Sequence, residues 1–229
     1  MQRLQRTDAF SERDYQLLRG AGAKRRQKAV LTDDEVMELT QQLSEPWANA
    51  VKVARVFGVR TWEFEFIIRR TNEEGNPQLW VSKGKTFNKK HGGVKDETEP
   101  RWLEAIPVNG QTYDLVEKWD ELVWPPTISG KSLGAKLRLL PYWQELKAKY
   151  AAQGEWIRSY SFRDTFSVRS HDLEIETTLV CAAMGHTPEV HRRNYRTYEA
   201  KTVRKAYERA SRAEGNLSSK TCPTNEKRL

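Results

Sequence analysis

Two neighbouring segments decide how this sequence is interpreted: YSFRDTF at residues 160–166 and MGHTPEVHRRNY at residues 184–195. Arg163 lies between two phenylalanines, and a guanidinium in apolar surroundings is costly to bury unless an anionic partner compensates for it. A glycine ends an apolar run directly before His186, which predicts an imidazole at a helix terminus. Tyr195 follows nine residues later. An arginine that binds a phosphate, a histidine that hydrogen-bonds to it and a tyrosine that attacks it form a consistent set for phosphoryl transfer.

The spacing of these residues resembles the second conserved box of the tyrosine recombinases, the family that includes the phage integrases. That family has His-x-x-Arg, then Gly-His further along the chain, and then the nucleophilic tyrosine nine residues after that histidine. Here Arg163, Gly185-His186 and Tyr195 occupy these positions, whereas Tyr160 stands where the family usually has histidine. A phenol can donate a hydrogen bond as an imidazole does, but it cannot act as a base near pH 7.

The upstream stretch GVRTWE at residues 58–63 resembles the family's first box, Gly-x-Arg-x-x-Glu, which contributes the first active-site arginine. Taken alone, Arg60 would be interpreted as a solvent-exposed arginine at a helix boundary. The second box downstream favours the active-site interpretation. Glu63 lies one helical turn from Arg60 and is expected to hold its side chain, which is a structural role.

A long polar hairpin is predicted between strands at residues 76–85 and 99–108, because apolar and polar residues alternate at its start. The resemblance places a catalytic lysine on this hairpin, and two candidates compete. Lys85 precedes a threonine, which is a common form in the family, whereas Lys83 precedes a glycine, which matches another form. Strand alternation puts both lysines on one face, so periodicity does not separate them. Lys85 is the preferred candidate.

Composition and charge fit a polyanionic partner. The chain has 229 residues and a formal net charge of +8, with 39 lysines and arginines against 31 acidic residues, and its isoelectric point is about 9.4. A basic soluble protein of another function would share this charge, so the charge supports nucleic-acid binding without deciding it. No apolar run approaches the ~20 residues of a membrane span, and no secretory signal is visible. Only Cys181 and Cys222 are present, which argues against a disulfide framework or a zinc site and suits a reducing, cytoplasmic compartment.

The resemblance implies a mostly α-helical α+β fold with a small antiparallel sheet. We expect a basic segment or linker at residues 1–28, a catalytic domain at residues 29–200, and a C-terminal helix and disordered tail at residues 201–229. The basic segment has too few apolar residues for a core, so it leaves no room for the DNA-clamping domain that typical family members carry before the catalytic one. Residues 197–213 are expected to form an amphipathic basic helix, which overlaps the end of the catalytic domain.

Helix signals between the boxes complete the expected architecture. Thr32 is the predicted N-cap of a helix, with Glu35 completing a capping box. Residues 113–122 and 132–150 are predicted to be helical as well, because leucines and tryptophans recur at helical spacing. Pro141 is expected to break the longer of these two helices.

The resemblance also implies DNA strand exchange through a 3′-phosphotyrosine, with no metal ion and no high-energy cofactor. Arg60 and Arg163 would neutralise the scissile phosphate and stabilise its pentacoordinate transition state, and His186 would donate to a non-bridging oxygen. Tyr195 would attack the phosphorus, and the hairpin lysine would protonate the leaving oxygen. The implied partners are double-stranded DNA at attachment sites and further copies of the chain, which form a tetramer on DNA.

Two other functions are compatible with the same residues. A type IB topoisomerase-like enzyme would relax DNA as a monomer without choosing a site, and a catalytically inactive relative would bind DNA without cleaving it. The filled arginine, histidine and tyrosine positions argue against the inactive relative. Tyr198 competes with Tyr195 for the role of nucleophile, but we interpret it as a helix-packing residue.

Overall fold

The computed structural model describes residues 27–83, 86–87, 96–97 and 99–192. The helices are α1 (Asp33–Gln42), α2 (Glu45–Val56), α3 (Gly130–Arg138), α4 (Pro141–Ala152), α5 (Ser161–Asp172) and α6 (Thr177–Met184). The strands are β1 (Gln27–Lys28), β2 (Ile67–Thr71), β3 (Pro77–Val81), β4 (Thr86–Phe87), β5 (Asp96–Glu97), β6 (Arg101–Trp102) and β7 (Glu155–Trp156). Short 3₁₀ helices cover Phe64–Phe66 and Trp119–Glu121. Within the described ranges, no helix has the length and apolarity that crossing a bilayer requires.

The expected α+β class is confirmed, and the sheet has one strand more than the sequence predicted. Three antiparallel strands lie in the order β2-β3-β6, with Ile68 opposite Trp80 and Trp80 opposite Trp102. Strand β2 escaped prediction because only Ile67 of its five residues is buried, so no alternation of apolar and polar residues marks it. Strands β4 and β5 also pair antiparallel, which fits the expected hairpin.

The start of α1 has the predicted capping box. The main-chain N–H of Thr32 donates to Oε2 of Glu35 over 2.8 Å, and that of Glu35 donates to Oγ1 of Thr32 over 3.2 Å. Glu35 also accepts from Nζ of Lys149 and from the hydroxyl of Tyr150, each over 2.7 Å. Burial alone would raise the pKa of Glu35, but these hydrogen bonds hold it below its ordinary value. Glu35 therefore completes the capping box and also connects α1 to α4.

One of the two predicted helices is not observed, and the other is broken at Pro141, as predicted. Residues 113–122 form turns and a 3₁₀ helix, and Tyr113 and Asp114 have φ angles of 60° and 51°, which a right-handed α-helix excludes. Residues 132–150 form two helices, because Pro141 begins α4. Proline is favoured in a first turn, where its missing N–H needs no partner. At residues 113–122 the spacing of Leu115 and Trp119 reflects burial in the core instead of a helix.

The packing of α5 against the end of α2 positions the candidate site. Phe162 and Phe166 of α5 are buried, and Arg163 lies between them on the same helix. Gly58 follows α2 with a φ angle of 61°, and a Cβ there would lie 2.4 Å from the ring of Phe166. Only glycine lets the chain turn this close to α5. The carbonyl of Gly58 consequently faces the guanidinium of Arg163.

Candidate active site

Arg163 is held by the carboxyl-terminal ends of two helices. Its side chain is buried; Nη1 donates to the carbonyl oxygen of Gly58, and Nη2 donates to that of Met184 over 2.5 Å. Carbonyls at the end of a helix lack intrahelical partners and carry partial negative charge. The anionic compensation expected for this buried guanidinium therefore comes partly from main-chain oxygens.

Arg60 and Glu63 make the predicted contact. Nη1 of Arg60 donates to Oε1 of Glu63 over 2.6 Å, and the main-chain N–H of Arg60 donates to Oε2 over 2.7 Å. Nη2 of Arg60 also donates to the carbonyl oxygen of Gly185 over 3.0 Å. Because Glu63 is fully buried, it fixes the arginine without competing contact from water. Arg60 therefore links the segment after α2 to the end of α6, as Arg163 does.

A third arginine, Arg101, contacts Glu63 as well, and the sequence analysis did not identify it. Arg101 of β6 donates from Nη2 to Oε2 of Glu63 over 2.9 Å and from Nε to the carbonyl oxygen of Ala183 over 2.8 Å. Its side chain is 7% exposed, and its Nη1 has no hydrogen-bond partner among the described residues. Gly185 lies against it, since a Cβ there would be 2.8 Å from Nη1. The available signal was a charged residue inside a short, tryptophan-containing strand.

Three guanidiniums therefore surround one carboxylate, and three positive charges against one negative charge leave a surplus of two. Burial alone would raise the pKa of Glu63, but Arg101, Arg163 and Arg60 hold it below its ordinary value. Burial lowers the pKa of Arg101, and Arg163 and Arg60 add to that effect, although Glu63 opposes it. This cluster of Arg60, Arg101, Arg163 and Glu63, called the arginine cluster below, is electrostatically suited to an anion.

His186 adds a neutral hydrogen-bonding group beside the arginine cluster. Gly185 ends α6, as predicted, and has the left-handed conformation. The next residue, His186, places Nδ1 3.4 Å from Nη2 of Arg163. Burial, Arg163, His191 and the other two arginines lower the pKa of His186 to about 3. The imidazole is therefore neutral near pH 7, when it carries one proton and one lone pair.

Two further histidines extend from His186, and the sequence analysis missed both. Nε2 of His186 lies 2.8 Å from Nδ1 of His191, and Nε2 of His191 lies 2.7 Å from Nε2 of His171. His191 is fully buried and His171 is buried at 9% exposure. Burial, His171 and Arg163 lower the pKa of His191 to about 4. A histidine on the buried face of α5 and another five residues after His186 were the signals in the sequence.

The remaining predicted residues are placed only in part. The ring centroid of Tyr160 lies 6.0 Å from the guanidinium carbon of Arg163 and 5.0 Å from that of Arg158, so Tyr160 borders the cluster. Lys83 is exposed, and its Nζ lies 5.0 Å from the ring centroid of Phe66. Lys85, Tyr195 and Tyr198 lie outside the described residues, as does the predicted helix at residues 197–213.

Cys181, His186 and His191 are close enough to be considered as metal ligands, since their ligand atoms all lie within 4.8 Å of one another. With Zn–N distances of about 2.0–2.1 Å, two nitrogen ligands of a tetrahedral zinc ion lie about 3.3 Å apart. The facing nitrogens of His186 and His191 are 2.8 Å apart, which is a hydrogen-bond distance. In this arrangement the two imidazoles form a hydrogen bond with each other. The positive charge of the arginine cluster beside them disfavours a metal cation.

Solved structures show how far the architecture is shared. A structure of the Tn1549 transposon integrase with a circular intermediate DNA matches with a TM-score of 0.50 and 15% identity, over 86% of this chain and 70% of the integrase chain. Another structure of that integrase with a circular intermediate DNA has a TM-score of 0.48 and 16% identity, over 80% of this chain and 66% of the integrase chain. A lambda integrase dimer bound to a core site has a TM-score of 0.42 and 14% identity, over 80% of this chain and 64% of that integrase chain. This chain thus spans about two thirds of their length. No protein-family profile and no curated protein sequence matches the chain.

Proposed function

Given that the chain has the fold of a tyrosine-recombinase catalytic domain, we propose that it is a site-specific DNA recombinase of the integrase kind. It would cleave and rejoin DNA through a 3′-phosphotyrosine intermediate. The observation that carries the proposal is the arginine cluster, which holds two surplus positive charges at the joined ends of α2 and α6. Such a buried surplus suits a phosphodiester that gains negative charge in its transition state.

The first step of the proposed reaction is phosphate binding. The guanidiniums of Arg60 and Arg163 bind non-bridging oxygens of the scissile phosphate, and Arg101 adds positive charge from behind Glu63. His186 donates a hydrogen bond to an oxygen beside Arg163. The positive charge that stabilises the transition state comes from these side chains rather than from a bound metal or another cofactor.

Tyr195 then attacks the phosphorus with its phenol oxygen. The new O–P bond joins the enzyme to the 3′ phosphate, and the bond between phosphorus and the 5′ oxygen breaks. The phenol gives its proton to solvent, and Lys85, or Lys83 in its place, gives a proton to the 5′ oxygen so that it leaves as a hydroxyl. Because the phosphotyrosine keeps the energy of the phosphodiester, a 5′ hydroxyl of another strand can reverse the step and exchange the strands.

An apolar groove beside α6 supports assembly of several copies. The groove has a volume of about 720 Å³. Its large apolar lining residues are Trp80, Trp102, Ile106, Phe166, Ile175, Leu179 and Val180. Of these, Leu179 is 60% exposed. We propose that residues 197–213 of a second copy dock here, because the helix predicted from their sequence would carry an apolar stripe with basic residues around it. A head-to-tail exchange of this kind closes into a ring, which suits a tetramer on two DNA duplexes.

This assembly separates the proposal from the topoisomerase alternative, which acts as a monomer. A recombinase of this kind would serve integration or excision of a mobile element. We accordingly propose that it works on double-stranded attachment sites in the cytoplasm of a prokaryotic cell.

The test is recovery of a covalent adduct from a library of nicked duplexes with a randomised core. After denaturation, only DNA joined to protein is retained, and cleavage next to the nick traps the intermediate because the short 5′ fragment diffuses away. We expect adducts with the native chain and none with Tyr195→Phe, while Tyr198→Phe serves as the matched control and keeps them. Adducts that survive Tyr195→Phe and vanish in Tyr198→Phe would show that the nucleophile is misassigned.

A further inference from the structure

Three imidazoles form a continuous chain that begins at the arginine cluster and leads away from it. Nδ1 of His186 faces Nη2 of Arg163 at 3.4 Å, and Nε2 of His186 faces Nδ1 of His191 at 2.8 Å. Nε2 of His191 then faces Nε2 of His171 at 2.7 Å. Both ring nitrogens of His191 are therefore used, and this ring has no exposed surface.

The arginine fixes the direction in which the protons of this chain point. A guanidinium only donates hydrogen bonds, so Nδ1 of His186 must accept and its proton must be on Nε2. That proton is donated to Nδ1 of His191, which places the proton of His191 on Nε2. His191 donates in turn to Nε2 of His171, whose proton is then on Nδ1. In this order each ring carries one proton, and the low pKa values of His186 and His191, about 3 and about 4, agree with neutral rings at these two positions.

A phosphate oxygen beside Arg163 demands the opposite direction. An unprotonated phosphodiester oxygen only accepts, so His186 must offer it a proton from Nδ1, while Nε2 still faces His191. We propose that His191 and His171 are positioning residues that reverse the proton order of this chain when an anion binds beside Arg163. The reversal requires only the protein and a bound anion. Its role in DNA cleavage rests on the function proposed above.

The protons balance along the chain. One proton is taken up at Nδ1 of His186, and the Nε2 proton of His186 moves to Nδ1 of His191. The Nε2 proton of His191 moves to Nε2 of His171, and the Nδ1 proton of His171 is released. Each ring begins and ends with one proton, so the reversal leaves the charge of the site unchanged.

In the proposed reaction the reversal takes place when the scissile phosphate binds, so that His186 donates from Nδ1 to a non-bridging oxygen before the attack. Nδ1 of His186 is then already protonated, and the proton of the attacking phenol passes to solvent instead of entering the chain.

The proton order can be measured directly with sulfate, a tetrahedral anion that only accepts hydrogen bonds at neutral pH. The protein is labelled with ¹⁵N-histidine in a His91→Gln background, so that only the three histidines of the chain contribute signals. Without sulfate we expect protons on Nε2 of His186, Nε2 of His191 and Nδ1 of His171. Saturating sulfate should move all three to the other nitrogen together. A change confined to His186, or an unchanged order, overturns the proposal.

Substitution of His191 distinguishes proton transfer from simple support. His191→Gln keeps one donor and one acceptor but cannot pass a proton, whereas His191→Leu loses the hydrogen bonds as well. In His191→Gln we expect sulfate to move the proton of His186 while that of His171 stays on Nδ1, because the amide cannot pass a proton between the two rings. A His171 proton that still moves with sulfate in His191→Gln would overturn the proposal. A reversible proton order in a native chain that never forms adduct would refute the proposed function and leave the reversal intact.

Discussion

The described part of the chain buries two glutamates in opposite ways. Glu35 sits at the start of α1 beside one lysine, Lys149, whose side chain is 52% exposed, so one charge balances one charge near the surface. Glu63 is fully buried among three guanidiniums and leaves two positive charges unbalanced. Neighbouring cations or donors lower both pKa values against the effect of burial. A buried ion pair alone is therefore no sign of function; the uncompensated excess around Glu63 is the informative difference.

The two glutamates should differ most in what their removal costs. Glu63→Gln leaves three buried guanidiniums without their carboxylate, and losing one partner of a buried ionic group costs about 3–5 kcal/mol. Glu35→Gln should cost about 1–2 kcal/mol, because Lys149 can return to water and the amide still accepts hydrogen bonds. Urea unfolding of both variants measures the difference. Equal costs would mean that the two sites are not electrostatically distinct.

The next test acts on the geometry of the arginine cluster while keeping its charge. Arg163→Lys keeps the charge but loses the planar group that reaches the ends of α2 and α6 together. We expect adduct formation to fall about 10²–10³-fold, as for the loss of one transition-state donor. The exposed surface arginine change Arg138→Lys is the matched control and should leave the rate unchanged. Similar losses in both variants would mean that the planar guanidinium of Arg163 has no special role in cleavage.

The hairpin lysine offers a comparison with a cation outside the arginine cluster. Lys85→Ala should slow adduct formation about 100-fold on ordinary DNA, as expected for loss of a general acid. A duplex with sulfur in place of the leaving 5′ oxygen should restore the rate, because a thiolate leaves without being protonated. Lys83→Ala should have little effect on either substrate. The reverse pattern would transfer the role to Lys83.

The sequence predicted those parts of the site whose spacing carries the information. Arg60, Arg163 and His186 were identified from the two boxes, and the structure brings these three residues together. Arg101 was missed because its role depends on β6 passing the end of α6, a contact between distant parts of the chain. The assignments of Lys85 and Tyr195 stay predictions, since both residues lie outside the described ranges.

The histidine chain and residues 113–122 also show what local sequence patterns do not predict. His171 and His191 lie 20 residues apart and meet only because α5 and the residues after α6 pack together. Residues 113–122 have apolar spacing typical of a helix, yet the left-handed conformations of Tyr113 and Asp114 interrupt it. Local patterns therefore predicted capped helices such as α1 but not tertiary hydrogen bonding or turn geometry.

The smallest expected effect concerns acid stability. The folded-state pKa values of His186 and His191, about 3 and about 4, lie below the unfolded value of about 6.5. Between these values the unfolded chain binds protons that the folded chain does not, so stability is complete above pH 6.5 and falls as the pH decreases. His191→Gln removes one such proton and should lower the slope of unfolding free energy against pH by up to about 1.4 kcal/mol per pH unit. An unchanged slope in urea unfolding between pH 4.5 and 7 would mean that His191 is not held neutral by folding.

The most direct measurement is the identity of the residue that carries DNA after cleavage. Adduct formed on the nicked duplex is digested with nuclease and protease, and the nucleotide-bearing peptide is located by mass spectrometry. The account predicts a 3′-linked nucleotide on Tyr195, in the native chain and in Tyr198→Phe alike. A nucleotide on any other residue, or a 5′ linkage, would contradict it.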